Sequence, residues 1–387
     1  MSLMKKEVEV LITGDFCPIG RNISKIENND NSIFDAISPF VREADLAITN
    51  LEAPLTQSEC KIAKTGPNIK GSPSAAKMLS NAGFNLVTLA NNHILDYDEM
   101  GIEDTLQHCR QADLDYVGAG INLKEARKPY IKTINSLEIG VLSFAENEFC
   151  AASENSAGAN PINPITNHYD IKKAKEQVDV LFVIVHGGRE HYQLPTPQQR
   201  ERYRFYIDSG ADIVVGHHTH CYSGYEIYNE KPIFYSLGNF IFDYKEKYQK
   251  GLWTQGYGVM FSLNRDEIKF DLIPYNQGRR RNPALEMLSE EEKNIFDKNI
   301  ERLNNIIIND NLFVEEWQKY LKTQEKGYKG MLLLQNPYIR EAIKRGMLPA
   351  IFLHSKKHQL LLLNLMRCES HREIMTNILE NELLNSK

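Results

Sequence analysis

The amino-acid sequence predicts an α/β fold built of layers, followed by a helical extension at the C-terminal end. Over residues 7–243, short runs of β-branched residues alternate with stretches of helical character, the order expected for strands separated by helices. Two later strands, Tyr257–Leu263 and Ile268–Ile273, follow each other without a helix between them. The sheet is therefore expected to be mixed or doubled.

The elements of the first part follow from apolar runs and amphipathic stretches. Predicted strands lie at Val8–Thr13, Leu46–Thr49, Leu86–Ala90, Ile139–Phe144, Val180–Val185, Ile213–Val215 and Ile233–Ser236. Predicted helices lie at Ile33–Glu43, Ser74–Ala82, Met100–Ala112, Ile171–Gln177 and Pro197–Ser209. The segment Glu146–Asn167 is predicted to be a loop, and a loop of this length inside a compact domain is more often functional than idle.

The composition changes after about Pro283, which predicts one domain over residues 1–282 and a helical extension over 283–387. Ser289 and Glu292 have the spacing of a capping box that opens a helix. Further helices are predicted at Val314–Gln324, Tyr338–Arg345 and Gln359–Glu382. The apolar run that begins at Leu360 is too short to span a membrane and is predicted to be a buried helix face.

Composition excludes several classes of protein. The net charge of −6 lacks the basic character of a nucleic-acid-binding protein. The six cysteines form no Cys-x-x-Cys pair, which disfavours a zinc ribbon and a disulfide framework and favours a reduced compartment. Because neither a signal peptide nor a transmembrane segment is evident, the sequence as written predicts a cytoplasmic protein, with envelope association if a leader has been removed.

Several predicted strands end in residues that ligate metals or catalyse reactions. If these strands are parallel neighbours, their ends converge in one crevice. Carboxylates, an amide oxygen and imidazoles together suit Zn, Mn or Fe, and a carboxylate can bridge two ions ~3.5–4 Å apart. The residues at these ends are Asp15, Glu52, Asn92, His93, His186, His217, His218 and His220.

Taken alone, several of these signals have a simpler interpretation. Gly14-Asp15 is a common turn, and Asn92-His93 could serve turn and cap chemistry. The segment Gly216–His220 is the strongest single signal, because it holds three of the eleven histidines of the chain directly after an apolar strand. Core packing does not require such a cluster.

Six motifs in this order resemble those of the calcineurin-like metallophosphoesterase superfamily. More closely, they resemble its CapA family of poly-γ-glutamate capsule biosynthesis proteins, over about Val8 to Asp243. The motifs are Gly14–Arg21, Thr49–Thr56, Gly83–Tyr97, His186–Glu190, Gly216–His220 and Lys231–Phe240. The resemblance implies a layered metallophosphatase-like β-sandwich flanked by helices, which would be the catalytic domain.

The resemblance also implies a site with two divalent metal ions (Zn, Mn or Fe) and the roles of its residues. His93 would protonate the leaving group or stabilise the transition state, and Arg21 and Glu190 would contact the substrate. His217 is left out, because the spacing His218-x-His220 fits the family motif better. One ion would be held by Asp15 and His220 and the other by Asn92, His186 and His218, with Glu52 bridging the two.

The chain departs from the superfamily at Cys17, where the first motif has a histidine. This thiol is either a zinc ligand or a small buried hydrophobic residue, and in the second case the ion near Asp15 would be held more weakly. The family also often carries an N-terminal membrane segment, which is not seen in this sequence.

Three functional hypotheses follow. The first is a metal-dependent hydrolase acting on a small-molecule or polymer substrate, at a phosphoester or at a γ-glutamyl or other amide bond. The second is a non-catalytic accessory protein of envelope polymer synthesis that retains a metal site. The third is a ligand-binding protein whose C-terminal helices dock a partner.

Overall fold

Two β-sheets packed face to face and flanked by helices form the body of the protein. The structure is a computed structural model that describes residues 7–332, 345, 347 and 355–385. Its strands are β1 Val8–Phe16, β2 Leu46–Leu51, β3 Leu86–Thr88, β4 Asp115–Val117, β5 Ala119–Gly120, β6 Tyr130–Ile134, β7 Leu137–Ala145, β8 Gly158–Ala159, β9 Val180–His186, β10 Ile213–His217, β11 Tyr225–Tyr228, β12 Lys231–Phe234, β13 Asn239–Ile241, β14 Gln255–Leu263, β15 Ile268–Asn276 and β16 Glu286–Met287. The layered α/β fold that the sequence predicts is confirmed.

The helices cover the outer faces of the two sheets and form the C-terminal part of the chain. Those within the first 282 residues are α1 Ile23–Glu27, α2 Ser38–Glu43, α3 Ser74–Ala82, α4 Asp98–Gln111, α5 Leu123–Ala126, α6 Pro164–Lys175 and α7 Pro197–Asp208. Those that follow are α8 Glu290–Ile308, α9 Asp310–Leu332, α10 Lys356–Arg367 and α11 Glu369–Asn385. Within the described residues, none of these helices combines the length and the apolar content that crossing a membrane requires.

The first sheet has the order β16-β15-β14-β1-β2-β3-β4, with β13 also paired to β1. Strands β1 to β4 are mutually parallel, whereas β14 and β15 run antiparallel to their neighbours. The second sheet has the order β11-β12-β10-β9-β7-β6, in which β7, β9, β10 and β12 are parallel. The expectation of a mixed or doubled sheet is therefore met on both counts.

The core between the sheets follows from the two-residue alternation of strand side chains. Val10 and Ile12 of β1 pack into the shared core with Val183 of β9. Leu11, between them, packs on the opposite face with Met78 of α3. Each such fully buried aliphatic side chain contributes roughly 1.5–3 kcal/mol of transfer free energy, so the two sheets are held in one fixed relation.

Two predicted helices differ in the structure. The predicted helix Ile33–Glu43 is a 3₁₀ turn over Asn31–Phe34 followed by α2. The break lies at residues 35–37, and Pro39 stands in the first turn of α2, where proline is favoured. The predicted helix Gln359–Glu382 is two helices, α10 and α11, separated by the extended backbone of Cys368. The predicted loop Glu146–Asn167 also holds β8 and the start of α6.

The C-terminal helices pack against the two-sheet body. The capping box of Ser289 and Glu292 is present at the start of α8, and Phe296 of this helix packs in the core between the sheets. The predicted helix Tyr338–Arg345 lies, apart from Arg345 itself, outside the described residues. The division into two domains at residues 282 and 283 stays a prediction.

Candidate metal centre

The carboxyl ends of strands from both sheets converge on one buried cluster. Asp15 is the penultimate residue of β1, and Glu52 directly follows β2. His186 ends β9, and His218 directly follows β10. The strands do not all lie side by side in one sheet: each sheet supplies part of the set, and the crevice lies between the two sheets.

Glu52 stands at the centre of two groups that could each hold a metal ion. One group is Asp15, Glu52 and His220, and the other is Glu52, His186 and His218; in each, the ligand atoms lie within 4.8 Å of one another. Glu52 Oε1 lies 3.7 Å from His186 Nε2 and 3.7 Å from His220 Nε2. Asn92 lies beside the second group, with its Oδ1 3.1 Å from His186 Nε2.

The environment of Glu52 fits a cation. The side chain is fully buried, and neither carboxylate oxygen has a hydrogen-bond partner among the described residues. Burial and the nearby carboxylate of Asp15 raise the pKa of Glu52 well above its ordinary value. A buried carboxylate without a donor is costly, and two divalent ions would satisfy both oxygens.

Asp15 is held as a carboxylate by a dense set of donors. It accepts hydrogen bonds from Asn50 Nδ2 at 2.7 Å and from the backbone N–H of His218 at 3.0 Å. His217 Nδ1 lies 3.2 Å from its Oδ1. Burial opposes ionisation, but His217 and the other nearby histidines hold the pKa of Asp15 below its ordinary value.

Burial disfavours the charged form of His186 and His218, and the neutral imidazole is the form that binds metals. Burial lowers the pKa of His218 to about 4, and burial together with His218 lowers that of His186. His220 Nδ1 lies 3.0 Å from Asn239 Oδ1, which leaves Nε2 facing Glu52. His218 and His220 have positive φ angles of 89° and 54°, a strained conformation typical of functional sites.

His93 lies at the edge of the cluster and is oriented by a carboxylate. Its Nδ1 lies 2.6 Å from Asp96 Oδ2, and its Nε2 lies 4.0 Å from Glu52 Oε1. Asp96 also accepts hydrogen bonds from Lys64 Nζ at 2.5 Å and from the backbone N–H of Ile69 at 2.7 Å. The ring is therefore fixed with Nε2 towards the metal ligands.

The two predicted substrate residues differ in position. Glu190 is an exposed residue in the wall of the cavity beside the cluster, where His220 and His218 overcome partial desolvation and lower its pKa to about 2. Arg21 is engaged elsewhere: its guanidinium pairs with Asp243 at 2.7 Å and donates to backbone carbonyls of residues 278–280. These contacts give no support to a substrate role for Arg21.

Cys17 behaves as a buried apolar residue. It packs with Ala53, Phe242 and Trp253 and belongs to neither of the two candidate ligand groups. Burial, followed by the charge of Glu52, raises the pKa of its thiol. The sequence left Cys17 as either a zinc ligand or a small buried hydrophobic residue, and its surroundings favour the second interpretation.

Sequence reasoning missed several supporting residues. Asn50 is the penultimate residue of β2, and Asp96 stands three residues after His93, so their positions in the motifs carried a signal. Glu148, in the predicted functional loop, accepts a hydrogen bond from Asn92 Nδ2 at 3.2 Å and leaves Asn92 Oδ1 facing His186. His217, which was set aside on motif spacing, is buried with its Nδ1 3.2 Å from Asp15 Oδ1.

A cavity of about 230 Å³ opens beside the cluster. Its wall includes Lys64, His93, Glu190 and His218 from the two-sheet body. Leu361, Asn364, Ser370 and His371, on α10 and α11, complete the wall. The contribution of these helices was not predicted.

The fold and the cluster together define a layered α/β protein with a candidate metal centre at the meeting strand ends of two sheets. Residues 9–244 match the family described as bacterial capsule synthesis protein PGA_cap. The chain belongs to this family, which confirms the resemblance to CapA proteins.

Curated relatives agree with this assignment. The chain is 34% identical over 250 residues to the capsule biosynthesis protein CapA of Bacillus anthracis, covering 62% of this chain and 60% of that protein. It is 36% identical over 231 residues to the PGA biosynthesis protein CapA of Bacillus subtilis, covering 58% and 61%. It is 26% identical over 278 residues to a Mycobacterium tuberculosis protein named "Probable polyglutamine synthesis accessory protein", covering 67% and 72%. The chain thus spans about three fifths of the length of the two Bacillus relatives.

Proposed function

We propose that this protein is a dinuclear metal-dependent hydrolase in the biosynthesis of capsule poly-γ-glutamate or a related envelope polymer. It would cleave a phosphoester or a γ-glutamyl or other amide bond. The observation that carries the proposal is Glu52, a fully buried carboxylate that two ligand groups share and that no described donor satisfies.

The ligand assignment follows the two groups. Asp15 and His220 would hold one ion, His186, His218 and Asn92 the other, and Glu52 would bridge them. When bound, two divalent ions supply Lewis acidity and lower the pKa of water to about 7. The identity of the ions is left to metal analysis, since this ligand set suits Zn, Mn and Fe.

The residues of the chain itself would orient the substrate and move protons. Asp96 holds the His93 ring by Nδ1, so that Nε2 can exchange a proton with the leaving atom of a substrate bound at the cluster. Lys64, buried against Asp96, neutralises part of the negative charge behind the ring. Positioned acid–base groups of this kind contribute roughly 10²–10⁴-fold to a rate.

The proposal is tested by stripping the purified chain with a chelator and reconstituting it separately with Zn²⁺, Mn²⁺ and Fe²⁺. Each form is then assayed with p-nitrophenyl phosphate, bis-p-nitrophenyl phosphate and γ-glutamyl-p-nitroanilide. We expect turnover of at least one substrate that depends on reconstitution and reaches its maximum at two ions per chain. Metal-filled protein that cleaves none of the three would contradict hydrolase activity.

A non-catalytic accessory role is the second candidate, favoured by the printed name of the Mycobacterium tuberculosis relative. The two candidate functions differ in whether His93 is needed for catalysis. In cells that depend on this protein for polymer production, His93→Ala should abolish production if the protein is a hydrolase. An accessory protein would tolerate the change, because the metal ligands and the fold remain.

A further inference from the structure

The wall of the cavity formed by α10 and α11 lies outside the part of the chain that matches the family, residues 9–244. Two helices from the end of the chain nevertheless reach the candidate metal centre and line the same cavity as His93 and His218. Because the cavity holds only about 230 Å³, any group bound at the centre lies within reach of this wall. The shape and polarity of the wall therefore bear on which substrates fit.

The wall is joined to the site by direct contacts. Ser370 Oγ donates to Glu146 Oε2 at 3.0 Å, and Glu146 Oε1 accepts the backbone N–H of Gly188, two residues before the site residue Glu190, at 3.0 Å. Glu369 accepts two hydrogen bonds from Asn147, at 2.9 and 2.7 Å. These bonds fix α11 against the loops that follow β7 and β9.

A second tie joins the site loop to α9. Arg189 Nε donates to Tyr320 Oη at 2.9 Å, and Arg189 itself lines the cavity. His371 Nδ1 lies 2.7 Å from Tyr328 Oη on the same helix. Hydrogen bonds at several points therefore hold α9 and α11 in place beside the candidate metal centre.

Asn364 is the unexplained member of the wall. Its side chain is only 7% exposed, it lines the cavity, and its buried Oδ1 has no hydrogen-bond partner among the residues that the structure describes. Buried amide oxygens in native proteins are almost always paired, and an orphan calls for an explanation such as a ligand or a bound water. In a hydrogen bond an amide oxygen can only accept, so a hydrogen-bonding partner of Asn364 Oδ1 carries an N–H or O–H donor.

We infer that α10 and α11 form a specificity wall, in which Asn364 accepts a hydrogen bond from an amine, amide N–H or hydroxyl on the leaving portion of the substrate. The inference rests on the proposed function, since it assumes that the scissile group binds at the metal centre. It adds a substrate-binding residue in a part of the chain that the family match does not cover.

The test compares two phosphate ligands that differ by one donor group, phosphoethanolamine and ethyl phosphate. Their affinities are measured by calorimetry on the full chain with its metal sites filled. Because the amine of phosphoethanolamine is a charged donor, the wild type should prefer this ligand by about tenfold or more, the value of one hydrogen bond to a charged group. Asn364→Leu should abolish that preference, with unchanged metal content and unchanged affinity for ethyl phosphate.

Two further variants separate binding from structure. Asn364→Asp keeps an acceptor oxygen at the same place and should keep the preference, even if the leucine variant folds poorly. Met366→Ala changes an exposed residue of the same helix and should behave as the wild type.

The inference is overturned if the wild type shows no preference or binds neither ligand. It is also overturned if Asn364→Leu keeps the preference, as it would if Oδ1 only binds water, or if that variant weakens both ligands equally. If Asn364→Leu loses the preference but the wild type turns over none of the substrates, the specificity wall is supported and only the proposed hydrolase activity is refuted.

Discussion

Replacing Glu52 with glutamine should have opposite effects on stability with and without metal. In metal-free protein, Glu52 is a buried carboxylate beside Asp15, without a described donor. Removing its charge keeps the shape and relieves desolvation and repulsion. We expect the free energy of unfolding of the metal-free variant to rise by about 2 kcal/mol, within the range for an unsatisfied buried polar or charged group.

In the presence of metal, the wild type should instead be more stable than Glu52→Gln. An ion at 1,000 times its dissociation constant stabilises the wild type by about 4 kcal/mol per site. Loss of the bridging carboxylate weakens both sites, and a hundredfold weaker affinity would remove about 2.7 kcal/mol from each. Denaturant unfolding in chelator and in excess Zn²⁺ or Mn²⁺ measures both quantities.

A matched control is Glu226→Gln, another buried glutamate, which pairs with Arg204 at 2.6 Å. Because this change breaks a satisfied ion pair far from the ligand groups, it should lower stability equally in chelator and in metal. If Glu52→Gln behaves in the same way, Glu52 is an ordinary packing residue and the metal-centre interpretation fails.

Three other changes test separate parts of the site and its supports. His93→Ala should lower kcat by about 10²-fold or more while the metal content measured by mass spectrometry is unchanged; a loss of metal would instead make His93 a ligand. Arg21→Ala should lower the free energy of unfolding by about 1–2 kcal/mol, because it leaves buried Asp243 without a cation that is itself partly exposed to solvent, and it should not change KM; a raised KM at unchanged stability would restore the substrate role. Glu373, which accepts the backbone N–H of Gln198, has its pKa raised by burial to about 7. A raised carboxyl pKa means that the folded state binds the extra proton, so stability falls as pH rises from about 4.5 to about 7. Glu373→Gln should flatten that part of the pH–stability profile, and an unchanged slope would show that other groups cause it.

The strand ends were predictable from the sequence because their signal is local. The apolar run Val180–Val185 indicates a strand, and His186 followed by two glycines indicates a candidate metal ligand at the end of that strand. Parallel strands align their carboxyl ends, so residues as far apart as Asp15 and Glu52, on the neighbouring strands β1 and β2, could be expected to meet. The motifs that carry the family resemblance are these same strand ends.

The support of the site was less predictable because it depends on contacts distant in sequence. Ser370 and Glu146 are separated by 224 residues, and no local sequence pattern predicts the hydrogen bond between them. His217 and His218 are neighbours in one motif, and spacing alone does not show that the ring of the first and the backbone N–H of the second both lie beside Asp15. The split of the predicted helix at Cys368 likewise depends on packing against the body.

The most direct measurement is the anomalous scattering of crystals soaked in Zn²⁺ or Mn²⁺. Two peaks about 3.5–4 Å apart are expected on either side of the Glu52 carboxylate, one beside Asp15 and His220 and the other beside His186 and His218. A cluster that stays without a peak at saturating metal, or peaks that avoid Glu52, would contradict a dinuclear centre built on this residue.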